Sequence, residues 1–372
     1  MKKKQIISLL VVAAILGALV YLQFRSWQSF DWAKFRRYTG GVSLLHIGAG
    51  VGLIYLGYVL RAIRWAIFLK PTAPTSFRRL IAPQVVGFAA LGLFGRAGEF
   101  ARPYLIARKE KLTFTSQLAV WTVERFFDLG AVALMMLALV TMALAGLVDS
   151  NKVAMLNEDL HRGVASIAAN GGHKLPLLLA AIALLVVFYL LLRKAGGKLA
   201  KAVREKAESF KAGLNTIHDF SSFVQIIAVS VIMWLMIAGA YIQVLHAYGP
   251  VAVTAADGSS QIANLATMHL GDVLIIMGCS MAGSVIQLPG GVGGSQLAVI
   301  TVLQSHYFNG ASTYITPELA VSCGIMLWLV TFMSVIPAGL VLARFEKISF
   351  LRLSDESSQE EEEIEVDAAR GL

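Results

Sequence analysis

The stretch Leu288-Pro289-Gly290-Gly291-Val292-Gly293-Gly294-Ser295-Gln296 interrupts an apolar part of the chain. Proline lacks a backbone N–H and glycine loses the most conformational entropy, so this stretch makes a continuous helix unfavourable. In a bilayer, interrupted backbone is tolerated only where it is buried in protein or lines a wet cavity. Transporters place binding sites at such breaks and direct half-helix N-termini at anionic groups. We therefore interpret the stretch as part of a binding site; a surface loop between two short helices is the alternative.

The composition around this stretch is that of a membrane protein. The chain has 372 residues, of which 57% are hydrophobic and only 15% are charged, and its mean hydropathy is +0.68. Soluble domains carry about 25% charged residues. The net charge of +9 is therefore attributed to cytoplasmic loops and anionic lipid headgroups, and no nucleic-acid partner is expected.

Hydropathy predicts an all-α polytopic membrane protein with about six full transmembrane spans plus two short re-entrant or broken helical elements. The spans are predicted at 6–24, 42–60, 129–148, 175–192, 223–245 and 319–343, and the second apolar run continues to Leu69. The short elements are 80–95, and the pair 268–288 and 295–308 on either side of the glycine-rich break. The first span follows Lys2-Lys3-Lys4 without a small-residue cleavage pattern, so we expect it to remain uncleaved.

Basic residues orient this arrangement with both termini in the cytoplasm. The segments then placed inside hold 24 of the 32 Lys and Arg residues, and the opposite loops hold seven. The loop 25–41 opposes this orientation, because four of its basic residues lie on the outer side. The expected location is a bacterial inner membrane.

Two polar segments flank or connect the spans. We divide the chain into a membrane domain, 1–343, and a cytoplasmic tail, 344–372, whose acidic stretch 354–367 is typical of disorder. The basic connector 193–221 is interpreted either as an amphipathic segment that contacts anionic lipid or as a solvated helix face.

Charged residues near or within the apolar segments form three groups. A charge at membrane depth costs at least about 2.5–3.5 kcal/mol, so it needs a partner or a wet path. The groups are Arg61 with Arg64, then Arg96, Glu99 and Arg102, then Glu124, Arg125 and Asp128. Spacings of three and four place the members of a group on one helix face.

If the three groups converge, five arginines face three carboxylates, and the resulting positive site suits a phosphate. The carboxylates would hold the arginines and limit how tightly the anion binds. The alternative is that each group is an interfacial anchor whose side chains reach the headgroups. For Arg61 and Arg64 taken alone, this anchor interpretation is favoured.

The residues give little support for metal binding, disulfide formation or nucleotide binding. The seven histidines include no pair at metal-ligand spacing. Cys279 and Cys323 lie in apolar runs and are interpreted as packing residues. The glycine-rich stretch lacks the Lys-Ser/Thr of a nucleotide phosphate loop. We expect no catalytic residue, metal or cofactor.

Four motifs nevertheless occur in a distinctive order: Arg61-x-x-Arg64-Trp65, Gly95-Arg96-Ala97-Gly98-Glu99-x-x-Arg102, Glu124-Arg125-x-x-Asp128 and Leu288-Pro289-Gly290-Gly291-Val292-Gly293. This order resembles the lysylphosphatidylglycerol synthase transmembrane region, also called the flippase-like integral membrane family, over roughly residues 40–345. The resemblance implies an inner-membrane protein with re-entrant helices. Relatives move a modified phospholipid between leaflets, and others are linked to hopanoid or polyprenyl-linked glycan lipids.

The chain departs from the family pattern in three places. Leu93 and Phe94 stand where the family usually has Asn and Pro, and Gln296 stands where it usually has Glu. After Ala343 about thirty residues remain, too few for the soluble aminoacyl-transferring domain. We therefore expect no synthesis of aminoacyl lipid.

Three functions remain open at this point. The first is a lipid transporter that binds an anionic phospholipid or a polyprenyl- or hopanoid-type lipid. Its fourteen candidate binding residues are Arg61, Arg64, Arg96, Glu99, Arg102, Glu124, Arg125, Asp128, Pro289, Gly290, Gly291, Gly293, Gly294 and Gln296. The second is a membrane enzyme in which Glu99, Glu124 and Asp128 act as acids, bases or metal ligands. The third is a scaffold for envelope-biogenesis enzymes. Oligomeric state stays undetermined.

Overall fold

A computed structural model describes residues 30–144, 220–254, 260–284, 293–305, 307–309, 314–346 and 348. The described helices are α1 (Trp32–Gly40), α2 (Leu44–Leu69), α3 (Phe77–Phe94), α4 (Ala101–Glu110), α5 (Phe114–Leu144), α6 (Phe220–Ala247), α7 (Leu270–Gly283), α8 (Gly294–Leu303), α9 (Pro317–Trp328) and α10 (Val335–Phe345). A 3₁₀ turn, Gly95–Phe100, joins α3 to α4. A π-helical turn, Leu329–Met333, joins α9 to α10.

Four of these helical segments are long and apolar enough to cross a membrane: α2, α3, α6 and the continuous unit Pro317–Phe345. They confirm helical segments at the predicted spans 42–60, 223–245 and 319–343. The predicted span 129–148 falls on α5 as far as Leu144. The total of six spans stays a prediction, because 6–24 and 175–192 lie outside the described residues, as do the connector 193–219 and the acidic tail.

The short element predicted at 80–95 is longer than expected. Helix α3 has 18 residues and includes Pro83, which gives it a length of about 27 Å. At Gly95 the backbone takes a φ of 64°, a conformation that glycine adopts readily. The chain then doubles back, and α4 returns along α3 with Gly87 lying directly against Arg102. The two helices form a helical hairpin.

The glycine-rich break also separates two short antiparallel helices. Helix α7 has 14 residues and α8 has 10, and both are apolar. Gly283 at the end of α7 lies against the backbone of Gly294 at the start of α8. At the far end, the Tyr307 hydroxyl donates to Asp272 Oδ1 at 2.9 Å. This agrees with the predicted pair of short helices, whereas Pro289, Gly290 and Gly291 lie outside the described residues.

The same order of elements occurs twice along the chain. Among the described residues, a long helix, a helical hairpin and another long segment run first from α2 to α5 and again from α6 to α10. The leading helices α2 and α6 pack along each other, and α10 packs on α3. Transporters assembled from two such repeats bind their substrates near the repeat interface. The interface is therefore the first place to examine for a site.

The all-α prediction was wrong in one loop. Residues Val251–Thr254 (β1) and Ser260–Ala263 (β2) form a two-stranded antiparallel sheet after α6, with Val251 opposite Ala263. Val253 and Ala263 are buried against the helices. A hairpin this small depends on such packing, because two isolated strands are only marginally stable in water, so its strand pattern alone was too weak to predict it.

Part of the basic loop 25–41 is also helical. The Asp31 carboxylate caps α1, accepting hydrogen bonds from the N–H groups of Ala33 and Lys34 at 2.9 and 3.0 Å. These bonds lower the pKa of Asp31, and the bond from the Lys34 N–H has the largest effect. Thr39 and Ser322 share a hydrogen bond of 2.8 Å that ties α1 to α9.

The tight contact at Gly87 generates a stability prediction. A Cβ at Gly87 would lie 2.6 Å from the Cβ of Arg102, whereas a Cβ at Gly52 meets nothing within 4 Å. We expect Gly87→Ala to lower the free energy of unfolding by about 1–3 kcal/mol through overpacking. Gly52→Ala, in α2, should be neutral or stabilising by up to about 1 kcal/mol. Unfolding of the purified protein in mixed micelles measures both, and equal effects would contradict the packing assignment.

Candidate functional site

Arg64 lies at the centre of a buried ionic cluster between α2, α5 and α6. Its side chain is completely buried. Nη1 donates to Asp128 Oδ1 at 2.7 Å and to Ser230 Oγ at 2.8 Å, and Nη2 donates to Glu124 Oε1 at 2.5 Å. Because Glu124 and Asp128 are one turn apart on α5, a single guanidinium reaches both carboxylates. Hydrogen bonds that involve an ionised group are roughly twice as strong as those between neutral groups.

Arg102 approaches Glu124 from the opposite side. It comes from α4, and its Nη2 lies 2.5 Å from Glu124 Oε2. Its Nη1 donates to Gln84 Oε1 at 3.3 Å. The guanidinium carbon lies 4.9 Å from the ring centres of both Trp65 and Phe88, a distance at which aromatic faces attract a cation. The hairpin and the close approach at its glycine thus carry Arg102 to α5.

Arg61 is held more loosely than the other two arginines. It lies one turn before Arg64 on α2, and its side chain is 12% exposed. Its Nη1 is 4.0 Å from Glu124 Oε1 and 3.9 Å from Asp128 Oδ2, which is beyond hydrogen-bond length. Its guanidinium carbon lies 4.8 Å from the Phe88 ring centre. Arg61 is therefore attracted electrostatically by the two carboxylates without forming a hydrogen bond to either of them.

We refer to Arg61, Arg64, Arg102, Glu124 and Asp128 as the arginine–carboxylate cluster. Three cations face two anions, so the cluster carries one surplus positive charge. Arg125, at its edge, adds another and acts electrostatically on Arg61, Arg102 and Glu124. In a low-dielectric interior such a surplus is far less screened than in water.

The cluster also holds hydrogen-bond donors that the protein does not use. In and beside the cluster, the buried nitrogens Arg61 Nη1, Arg64 Nε, Gln84 Nε2 and Arg125 Nε have no hydrogen-bond partner within the described part of the chain. An unpaired buried donor costs roughly 1–3 kcal/mol. Several such donors beside surplus positive charge favour an anion with several acceptor oxygens.

The depth of the cluster corrects the anchor interpretation of Arg61 and Arg64. Arg64 lies five residues before the end of α2, and Glu124 lies ten residues after the start of α5. These separations correspond to about 8 and 15 Å along the helix axes. Full burial of Arg64 is incompatible with a side chain that reaches the headgroups.

Of the remaining predicted charged residues, Glu99 and Arg125 are described and lie outside this cluster. The backbone of Arg96 lies in the 3₁₀ turn, and its side chain lies outside the described set. Glu99 is half-buried in the same turn, and in the part of the chain that the structure describes it forms no ion pair with the cluster arginines. Arg125 lies with its guanidinium carbon 5.3 Å from the Trp121 ring centre.

The described part of the glycine-rich stretch, from Gly293 onward, has its own local hydrogen bonds. Gly293 and Gly294 begin α8. The Gly293 N–H donates to Gln296 Oε1 at 2.8 Å, and Ser295 Oγ donates to the same oxygen at 3.0 Å. Gln296 thus caps its own helix. The Gly293 N–H is therefore already occupied by this local side chain.

Sequence reasoning missed the neutral partners of the cluster. Gln84 and Ser230 accept hydrogen bonds from its arginines, and Trp234 Nε1 donates to Asp128 Oδ1 at 3.4 Å. Ser230 and Trp234 are four residues apart on α6, so they form a polar edge on an otherwise apolar span. That spacing was the available signal, and Trp65, next to Arg64, was another.

The chain was compared with known families, proteins and structures. The family model described as "Lysylphosphatidylglycerol synthase TM region" matches residues 5–339. The chain belongs to this family. No curated protein and no solved structure matches it. It is a multi-pass membrane protein, and all five residues of the arginine–carboxylate cluster lie in the sequence motifs described above.

The central position of Glu124 generates a second prediction. Glu124→Gln leaves Arg64 and Arg102 buried with a single remaining carboxylate, Asp128, and we expect a loss of about 3–5 kcal/mol in unfolding free energy. The control is Glu346→Gln, which removes the partially exposed ion pair with Lys109 and should cost at most about 1 kcal/mol. Unfolding in mixed micelles measures both. A Glu124→Gln protein as stable as the control would contradict the central role of this carboxylate.

Proposed function

We propose that this protein binds a membrane lipid with an anionic headgroup at the arginine–carboxylate cluster and moves it between the leaflets. The observation that carries the proposal is a buried surplus of positive charge together with donors that the protein leaves unpaired. Burial of such groups is costly, and an anion that binds there offsets the cost. A structural ion-pair network needs no such surplus.

Phosphate is the anion that the donors suit best. Guanidinium groups present planar forks of N–H donors that match phosphate oxygens. Arg61 Nη1 and Arg125 Nε both have no hydrogen-bond partner within the described part of the chain, and the two guanidinium groups interact electrostatically. A phosphate near these two groups would accept from both while Arg64 and Arg102 remain held by the carboxylates.

The carboxylates give the site a means of releasing its ligand. Glu124 and Asp128 compete with a bound phosphate for the same arginines, so the anion is held less tightly than three unopposed arginines would hold it. A carrier needs this balance, because a ligand that binds too strongly is not released.

An apolar groove beside the cluster suits the acyl chains. The groove has a volume of about 480 Å³ between α5 and α6, and its lining includes Phe127, Leu134 and Leu137. Ser230, which accepts a hydrogen bond from Arg64, also lines it. A lipid with its phosphate at the cluster can therefore extend an acyl chain along the groove.

The rest of the proposal concerns setting and chemistry. We propose a bacterial inner membrane with both termini in the cytoplasm and a re-entrant placement of the two hairpins. We propose no covalent step, cofactor or metal, and the transported lipid is an anionic phospholipid or a polyprenyl- or hopanoid-type lipid phosphate.

Removing the charge of Arg61 tests the proposal. Arg61→Gln keeps a hydrogen-bonding side chain but removes the surplus charge, and we expect the translocation rate of a fluorescent phosphatidylglycerol in proteoliposomes to fall at least about tenfold. The control is Arg79→Gln, an arginine whose side chain is 59% exposed and pairs with Glu110. Unfolding curves establish that both variants fold. If the Arg61→Gln protein folds and translocates the lipid at the wild-type rate, the proposal is contradicted.

Blocking the groove tests the acyl-chain route. Ala133 lines the groove, so Ala133→Trp should fill part of it and slow translocation severalfold. Leu56 lies on α2, is 47% exposed and does not line the groove, so Leu56→Trp should leave the rate unchanged. Equal rates for the two tryptophan variants would exclude the groove as the route.

A further inference from the structure

A second cavity lies at the interface between the second hairpin, α6 and the α9–α10 unit. Its volume is about 150 Å³, which is the size of an engineered cavity that accepts a benzene ring. Six polar side chains line it: Tyr241, Ser280, Ser284, Ser295, Gln296 and Thr331. We call it the hydroxyl cavity.

The hydroxyl cavity offers hydrogen-bond acceptors without charge. Four of its hydroxyls donate within the protein: Tyr241 to Ser280 Oγ, Ser284 to the Met281 carbonyl, Ser295 to Gln296 Oε1 and Thr331 to the Leu327 carbonyl. A hydroxyl has one donor and two acceptor sites. Because their own protons are used, these four oxygens present lone pairs to which the hydroxyl groups of a ligand can donate; the fifth hydroxyl, that of Ser280, accepts from Tyr241.

The walls around these oxygens suit a ring. Trp328 and Phe332 also line the cavity, and Phe332 belongs to the π-helical turn. Such turns are rare and occur frequently at functional sites. Gln296 keeps the lining neutral, whereas a glutamate at this position would place a carboxylate there. An aromatic wall with neutral acceptors matches an uncharged polyhydroxy ring better than a cation.

The hydroxyl cavity lies on the same side of α6 as the arginine–carboxylate cluster. Trp234 donates to Asp128 of the cluster, and Tyr241 lines the cavity. These residues are seven apart, which is two turns of the same helix face and about 10 Å along its axis. One lipid headgroup can thus meet both places during its passage.

We propose that the hydroxyl cavity is a specificity subsite for an uncharged polyhydroxy group, of sugar-ring or polyol size, carried by the headgroup of the anionic lipid. This inference rests on the proposed function, because the lipid is held first by its phosphate. Thr331 and Ser284 are the specificity residues that the geometry points to, through their acceptor oxygens.

The test compares two lipids that share a single negative charge. Native mass spectrometry of the purified full chain is used to measure apparent Kd values for dioleoyl phosphatidylinositol, which carries a polyhydroxy ring, and for dioleoyl phosphatidylmethanol, which does not. We expect the wild type to bind phosphatidylinositol about tenfold more tightly, as one or two net hydrogen bonds would produce. Equal Kd values for the two lipids would overturn the inference.

Matched variants separate the subsite from general destabilisation. Ser284→Ala with Thr331→Val removes two acceptor oxygens and should abolish the preference while the Kd of phosphatidylmethanol stays unchanged. The control is Ser305→Ala with Thr122→Val, which removes the same kinds of intrahelical bond, to Val302 and Leu118, away from the cavity. A preference that survives in the cavity variant, or disappears equally in the control, contradicts the subsite.

A second variant and two further outcomes of the binding measurement separate the subsite from the proposed function. If the cavity double variant fails to fold, the near-isosteric Thr331→Val alone, compared with Thr122→Val, should reduce the preference about threefold. A wild type that binds both lipids equally, with Arg61→Gln weakening both, overturns only the subsite. A wild type that binds neither lipid contradicts the proposed function, and the subsite with it.

Discussion

The structure depends on the burial of Arg64 between two carboxylates of α5. A guanidinium at this depth is tolerated only when its charge is compensated and its donors are used. Glu124 and Asp128 supply the charge, and Ser230 supplies an acceptor from α6. The requirement therefore joins α2, α5 and α6, which come from both repeats of the chain. Removing a carboxylate would leave the guanidinium charge of Arg64 poorly compensated.

The first hairpin converts this ion pair into a site. Without Arg102, the cluster would have two arginines, two carboxylates and no surplus charge. The φ of 64° at Gly95 and the close packing at Gly87 return α4 along α3, and this return delivers the third guanidinium to Glu124. The backbone conformation at Gly95 and the close packing at Gly87 thus determine the charge of a cluster that itself contains no glycine.

The two hairpins differ in chemistry although they occupy corresponding places in the repeats. The first supplies a buried arginine and faces surplus positive charge. The second supplies serines and Gln296 and faces a neutral cavity. In the proposed function this difference divides recognition of one headgroup between its charge and its uncharged part, and the apolar groove between α5 and α6 receives the acyl chain.

The sequence by itself determined the membrane class, the helical segments at three predicted spans and the two short helices around the glycine-rich break, and its fourteen candidate residues included the five of the cluster. Periodicity and hydropathy are local properties, so spacing of three and four was enough to place these charges on common faces. Only the tertiary structure decided which faces meet. Arg64 is a buried centre rather than an anchor, Gln296 caps its own helix, and Gln84, Ser230 and Trp234 complete the cluster. Those outcomes depend on contacts between residues far apart in the chain, which no local pattern encodes.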